Sequence, residues 1–219
     1  MKKIKQLESR FILFQKLFFS IFIISLFTQK IYSQNFYGNI NLYGFKYQET
    51  NIYPSLTVNL NRESKRTDLY SELRVNYEDL NLYSALIGLN YFLDKDSNIT
   101  ITPYAGLTFG NFSSIPVGFN FIAETPKFDF YSQQQVNNRI NKNDTGFYFS
   151  WSEINFKFIR KPKITTFVGL TSVIDVSIDY SDFSSGLKTG ISVFDKIEAS
   201  FYLFNINKPS FFISLMYEF

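Results

Sequence analysis

The side chains that most often carry enzyme chemistry near neutral pH are missing from this sequence, which has no histidine and no cysteine. Without imidazole there is no base whose proton affinity lies near neutrality. Nucleophile–imidazole pairs and His- or Cys-ligated metal sites fall with it. Carboxylates remain, and a pair such as Glu72 with Glu153 is the arrangement a carboxylate-only hydrolase would use. Two carboxylates on separate strands are far more often solvated or ion-paired wall residues, so no catalytic residue is assigned. Asp175, Asp179 and Asp182 fall close together in DVSIDYSDFSS. Oxygen ligands at such spacing suit Ca²⁺, but the Asp-x-Asp-x-Asp-Gly pattern of a calcium loop is absent. The segment reads as a solvated acidic loop, and no metal or cofactor is expected.

The other charged residues share a pattern. Glu72, Arg74, Asp129, Glu153, Lys157, Lys188, Glu198 and Glu218 each stand on the polar side of a stretch whose other side is apolar. The period of these stretches is two, the signature of strands. In residues 68–77, Tyr70, Glu72, Arg74 and Asn76 oppose Leu69, Ser71, Leu73, Val75 and Tyr77. Residues 99–109 set Thr100, Thr102, Tyr104 and Thr108 against Ile99, Ile101, Leu107 and Phe109. Twelve such segments run over about 36–47, 52–61, 68–77, 82–92, 98–109, 114–123, 127–136, 146–158, 164–174, 186–194, 197–204 and 210–219. Ten strands is the alternative count, because the register is hardest to assign over 124–136.

What could hold these segments is set by composition. The aromatic share is 20%, with 27 Phe, 15 Tyr and a single Trp, while mean hydropathy is −0.07. A soluble β-sandwich shares the alternation but would need a very large core for that load. A wall facing lipid uses it directly. In hydrocarbon every backbone group must be paired, which only a closed sheet achieves among β structures. A Lys or Arg on the lipid face at mid-membrane costs about 2–4 kcal/mol, so the charged faces turn inward. The eight charged residues are therefore expected to line an interior. Tyr43, Tyr70, Tyr104, Tyr131 and Trp151 are expected inside too, partly filling it. In FYFSWSEINFKF, turning Glu153 inward takes Phe147 and Phe149 inward as well, unless a bulge flips the register. Tyr37, Tyr47, Tyr91 and Tyr217 suit interfacial girdles.

Residues 1–33 are read as a leader. Six of the 22 basic residues and one of the 19 acids lie there, followed by the apolar run LFFSIFIISLF and Ile31-Tyr32-Ser33. That run is too short for a bilayer but suits a signal peptide, placing cleavage by signal peptidase before Gln34. The remaining 34–219 is one domain with two more acids than bases, so no field is left to attract nucleic acid. With the first strand running outward, NNRINKNDT and DVSIDYSDFSS become the longest connections and both fall outside the cell.

The last segment, FFISLMYEF, alternates Phe211, Ile213, Leu215, Tyr217 and Phe219. It resembles the C-terminal signal of small, porin-like outer-membrane β-barrels of Gram-negative bacteria, which the barrel-assembly machinery recognises. The resemblance implies an all-β, transmembrane, antiparallel up-and-down barrel, with Phe219, Tyr217 and Leu215 as assembly signal. The enzymatic outer-membrane barrel families depend on a histidine, so the resemblance does not extend to them. The expected function is a narrow channel or transporter for ions or small solutes. The alternative is a non-conducting surface, adhesion or envelope-structural barrel working through external loops.

Overall fold

Alternation of apolar and polar residues over long stretches produces twelve strands. They are β1 (Phe36–Lys46), β2 (Tyr53–Arg62), β3 (Asp68–Val75), β4 (Leu82–Phe92), β5 (Ile99–Gly110), β6 (Ser114–Glu124), β7 (Phe128–Arg139), β8 (Phe147–Lys161), β9 (Ile164–Ser177), β10 (Ser181–Val193), β11 (Ile197–Phe204) and β12 (Ser210–Glu218). The computed structural model describes residues 36–46, 53–64, 67–77, 81–94, 98–140, 146–161, 163–205 and 209–219. The leader expected over 1–33, its cleavage point before Gln34, and Tyr47 lie outside the described residues. Each strand pairs with its neighbours in sequence, and β12 returns to β1, so the sheet closes into an antiparallel barrel of twelve strands and not ten. The seam runs from Asn39 opposite Glu218 to Lys46 opposite Phe211. Beyond it, the Gly38 and Phe219 backbones exchange hydrogen bonds of 3.0 and 3.2 Å.

Both ends of the described chain lie at one mouth, called here the terminal mouth; the other is the loop mouth. The 124–136 region resolves into the end of β6, a tight turn over 125–127 and the first part of β7. There the Phe128 amide donates to Thr125 Oγ1 at 2.8 Å and the Thr125 amide to the Phe128 carbonyl at 2.8 Å. At the terminal mouth Phe194–Lys196 join β10 to β11; Phe194 and Asp195 have φ of 57° and 52°, a left-handed pair that matches the twist of the strands, and the Lys196 amide donates to the Val193 carbonyl at 3.2 Å.

The connection at 175–185 is not a long loop. Asp175–Ser177 extend β9 and Ser181–Ser185 extend β10, leaving Ile178–Tyr180 as the turn. Ser177 Oγ accepts from the Asp179 and Tyr180 amides at 3.1 and 3.3 Å, which holds the turn closed. Asp175 and Asp182 become cross-strand neighbours. Among the described residues no group of acids is arranged to hold a metal.

The outward side chains form an exposed apolar band that includes Leu107, Phe119, Ile154, Leu170, Phe201 and Ile213. Several polar groups on this wall satisfy one another. Ser132 and Ser152 are bonded at 2.8 Å, Gln134 donates to Ser132 and Ser150 at 2.7 and 2.9 Å, and Tyr148 donates to Gln134. Self-contained bonding is what hydrocarbon demands, because no solvent there can complete a missing partner.

Candidate functional site: the barrel interior

The inward faces build three tiers. At the loop mouth, Phe45, Phe147, Phe149, Trp151, Tyr202, Phe204 and Phe212 form a buried aromatic cluster, with Tyr43, Tyr77, Phe112 and Tyr131 packed on it. Trp151 stacks on Phe212 at 6.1 Å and meets Tyr202 and Phe204 edge-on at 5.8 and 6.0 Å. No bulge intervenes along Phe147–Lys157, so the whole alternate series of β8 points inward; the register shifts only between Lys157 and Ile159.

Tyr77 enters this tier from the turn after β3. Asn76 has φ of 54°, and its side-chain oxygen accepts from the Asn81 amide at 2.9 Å. The left-handed residue breaks the alternation, so Tyr77 swings inward although its position in DLYSELRVNY places it with the outward set. Its ring then meets Tyr43, Phe149 and Trp151 at 5.8–6.5 Å.

The middle tier is polar. Arg74 is 2% exposed and donates to Glu72 and, across the interior, to Gln135 of β7, both at 2.9 Å. Its guanidinium lies 4.9 Å from the Tyr77 ring centre and 5.7 Å from that of Tyr104. An amide's orientation is fixed by its partners. The orientation that satisfies Gln133 turns its oxygen to Arg74, accepting at 2.7 and 2.9 Å, and lets its nitrogen donate to the Tyr77 hydroxyl at 3.1 Å. Tyr70 donates to Glu72 and receives the Asn120 amide at 3.2 Å.

On the opposite wall Lys188 bonds Glu153 at 2.7 Å and Glu198 at 3.3 Å. Trp151 Nε1 donates to Glu153 at 2.6 Å and Ser200 to Glu198 at 2.7 Å. The ammonium also faces the Phe167 and Tyr202 rings at 5.1 and 5.2 Å. Two glycines make room here. A Cβ on Gly169 would stand 2.3 Å from Asn155 Oδ1, and one on Gly190 would stand 2.4 Å from the Phe167 ring.

The terminal mouth is the third tier. Tyr37 points inward and donates to Asp68 at 2.7 Å, so it is not part of an outer girdle; Tyr91 and Tyr217 are exposed on the outer wall. Asn90 bonds Asn61 at 3.0 Å and accepts from Thr102 at 2.7 Å. Asp129 pairs with Lys157 at 2.5 Å and stands opposite Glu124 in register. Glu218 shares the inward face of β12 with Phe212 and Ser214 and stands opposite Asn39.

The eight charged residues picked from sequence thus fall into three groups: Glu72 with Arg74, Glu153 with Lys188 and Glu198, and Asp129 with Lys157, leaving Glu218 at the rim. Glu72 and Glu153 do not form an acid–base pair; each is held by a cation of its own wall. Leu215 and Tyr217 face outward, and Phe219 closes the seam through its backbone. Sequence reasoning missed Gln133, Gln135, Tyr77 and Asn120. Alternation within SQQQVN was the available signal for the two glutamines, but uncharged amides do not announce which face is inside.

An apolar outer band, a closed ring of twelve strands and a polar, aromatic-capped interior define an antiparallel up-and-down β-barrel with the exterior that a bilayer requires. No protein-family model matches the chain, and no curated protein matches it. Among solved structures the KdgM porin is 11% identical with a TM-score of 0.54, over 84% of this chain and 99% of that one. The KdgM porin in complex with disordered oligogalacturonate is 12% identical with a TM-score of 0.56, over 83% and 99%. A bacterial polysaccharide outer membrane secretin is 12% identical with a TM-score of 0.50, over 85% and 77%. At such identity the likeness is one of fold.

Proposed function

We propose that this chain is an outer-membrane channel for small solutes, with a narrow passage along the polar inner wall. The observation that carries the reading is the continuity of that wall. Polar and charged groups follow one another from Asp68 and Glu218 at the terminal mouth, past Lys188 and Glu198, to Arg74 beneath the aromatic cap. A barrel needed only as a wall gains nothing from burying charges, whose desolvation is costly unless each is paired. The porin fold supports the same reading and points away from an enzyme. Barrels of eight strands are filled by side chains and those of sixteen to eighteen hold an aqueous channel, so twelve leaves room for a restricted path.

The aromatic cap favours a second reading, a non-conducting surface or envelope-structural barrel acting through its loops. Single-channel recording of the protein in a planar bilayer separates the two. Discrete, reproducible current steps that change with Glu72→Gln or Arg74→Gln establish the channel. Silence from demonstrably folded protein establishes the second reading.

Delivery to the outer membrane is part of the proposal. Residues 1–33 serve as a leader removed before Gln34 by signal peptidase. The outward alternation of Leu215, Tyr217 and Phe219 serves as the signal for the barrel-assembly machinery, with lipid contacting the apolar band. The oligogalacturonate held by the KdgM porin is a polyanion, and the acids of the terminal mouth here argue against assigning it to this chain.

A further inference from the structure

We propose that the passage takes small cations in preference to anions, an inference that deepens the channel reading and rests on it. Three bases of the inner wall are neutralised where they stand, while Arg139 at the loop mouth lies over the Phe112 ring at 4.5 Å and Arg160 stands opposite Thr165 at the terminal end. Arg74 is held by Glu72, Lys157 by Asp129, and Lys188 by Glu153 and Glu198 together. One ammonium between two carboxylates leaves that wall negative.

The terminal mouth adds to this. Glu218 on β12 and Glu124 on β6 stand on opposite sides of the ring, and neither forms an ion pair among the described residues. Glu218 faces the acids Glu124, Glu198 and Asp195, whereas Glu124 faces both Asp129 and the Lys157 ammonium that Asp129 holds. Lysines at this end, such as Lys127, Lys163 and Lys196, are exposed in the turns, where water and salt screen them. Glu124 and Glu218 are exposed too, but they stand on the inward series of their strands at the rim of the mouth, where carboxylates focus their field on the path more than lysines carried on the turns beyond it.

A second observation is independent of charge. Two acceptors, Asn155 Oδ1 beside the Lys188 group and Asn120 Oδ1 on β6, are buried without a hydrogen-bond partner, against one buried donor, Asn137 Nδ2, nearer the loop mouth. All three residues are less than a tenth exposed. A buried acceptor oxygen is completed by a donor or a cation and is repelled by an anion. Rings of carboxylates and oxygen dipoles are the device that selects cations in channels generally.

The test is the reversal potential of the whole protein, extracted from membranes and inserted in a planar bilayer under a KCl gradient. The expected result is a several-fold preference for K⁺ over Cl⁻ that shrinks as bulk salt rises. The triple variant Glu124→Gln, Glu198→Gln, Glu218→Gln should bring the ratio toward unity while keeping heat-modifiable gel migration as proof of folding. A conducting protein that prefers Cl⁻ or neither ion overturns this inference and leaves the channel standing. An unchanged ratio in the folded triple variant overturns it too, because the field would then have another origin. No current from folded protein takes down the channel reading itself, and this inference with it.

Discussion

At the scale of single residues, the interior depends on charges that cannot be removed singly. Glu153 is 7% exposed and receives both Lys188 and the Trp151 indole. Removing one partner of a buried pair typically costs about 3–5 kcal/mol, because the other charge is left in a poor solvent. Glu198 remains to hold Lys188, so Glu153→Ala is expected near the lower end of that range, read as a lower temperature for loss of heat-modifiable migration. Lys188→Met combined with Glu153→Leu should cost less than the sum of the two single changes. A strictly additive result would show that the pair is not coupled. The charged residues themselves were legible in the sequence, since period two and the expense of a charge in lipid fix which way they point. Their partners were not. Arg74 meets Gln135 across 61 positions of chain, and that meeting depends on strand tilt and stagger, which no local pattern encodes.

The strands and turns fared unevenly. Strong alternation placed β3, β5 and β12 within a residue or two of their observed ends. The 175–185 segment was misread because Asp and Ser dominate its composition, whereas its backbone pairs regularly, with Phe183 opposite Ile174 and Ser181 opposite Val176. Tertiary pairing overrode local preference there. Tyr77 was assigned to the wrong face because a single left-handed Asn76 reverses the alternation. Two experiments belong to this scale. Ile154, halfway along β8, and its neighbour Leu170 face outward and are exposed. Ile154→Arg should therefore cost about 2–4 kcal/mol, measured by denaturant refolding into lipid vesicles. A neutral effect would mean that this wall does not face hydrocarbon. Tyr77→Ala removes the ring that a turn contributes to the aromatic cap. It should raise single-channel conductance and shift the emission of Trp151, the chain's one tryptophan, to longer wavelength. Unchanged current and unchanged emission would place the constriction elsewhere.

For the whole molecule, the strand count and the period-two wall were legible because each long alternating stretch makes one strand, and a ring whose two ends meet at one mouth has an even number of them. The degree to which the interior is filled was not, since it depends on which aromatic rings meet across the ring of strands. Replacing Phe219 with Asp should reduce insertion into the outer membrane, assayed by fractionation; insertion at the ordinary level would remove the terminal residue from the assembly signal. The seam that joins β1 to β12 also constrains time. Asn41 and Ser214, bonded at 2.9 Å, stand 173 positions apart. Such a contact is slow to find by diffusion of a long chain. Until it forms, the sheet has two open edges, each a row of unpaired amides and carbonyls that neither lipid nor a single chain can satisfy. Entry into the membrane and closure must therefore be nearly simultaneous, or the edges must be shielded by another body. Whatever sets the rate of that last pairing sets how fast the cell can place this barrel in its envelope.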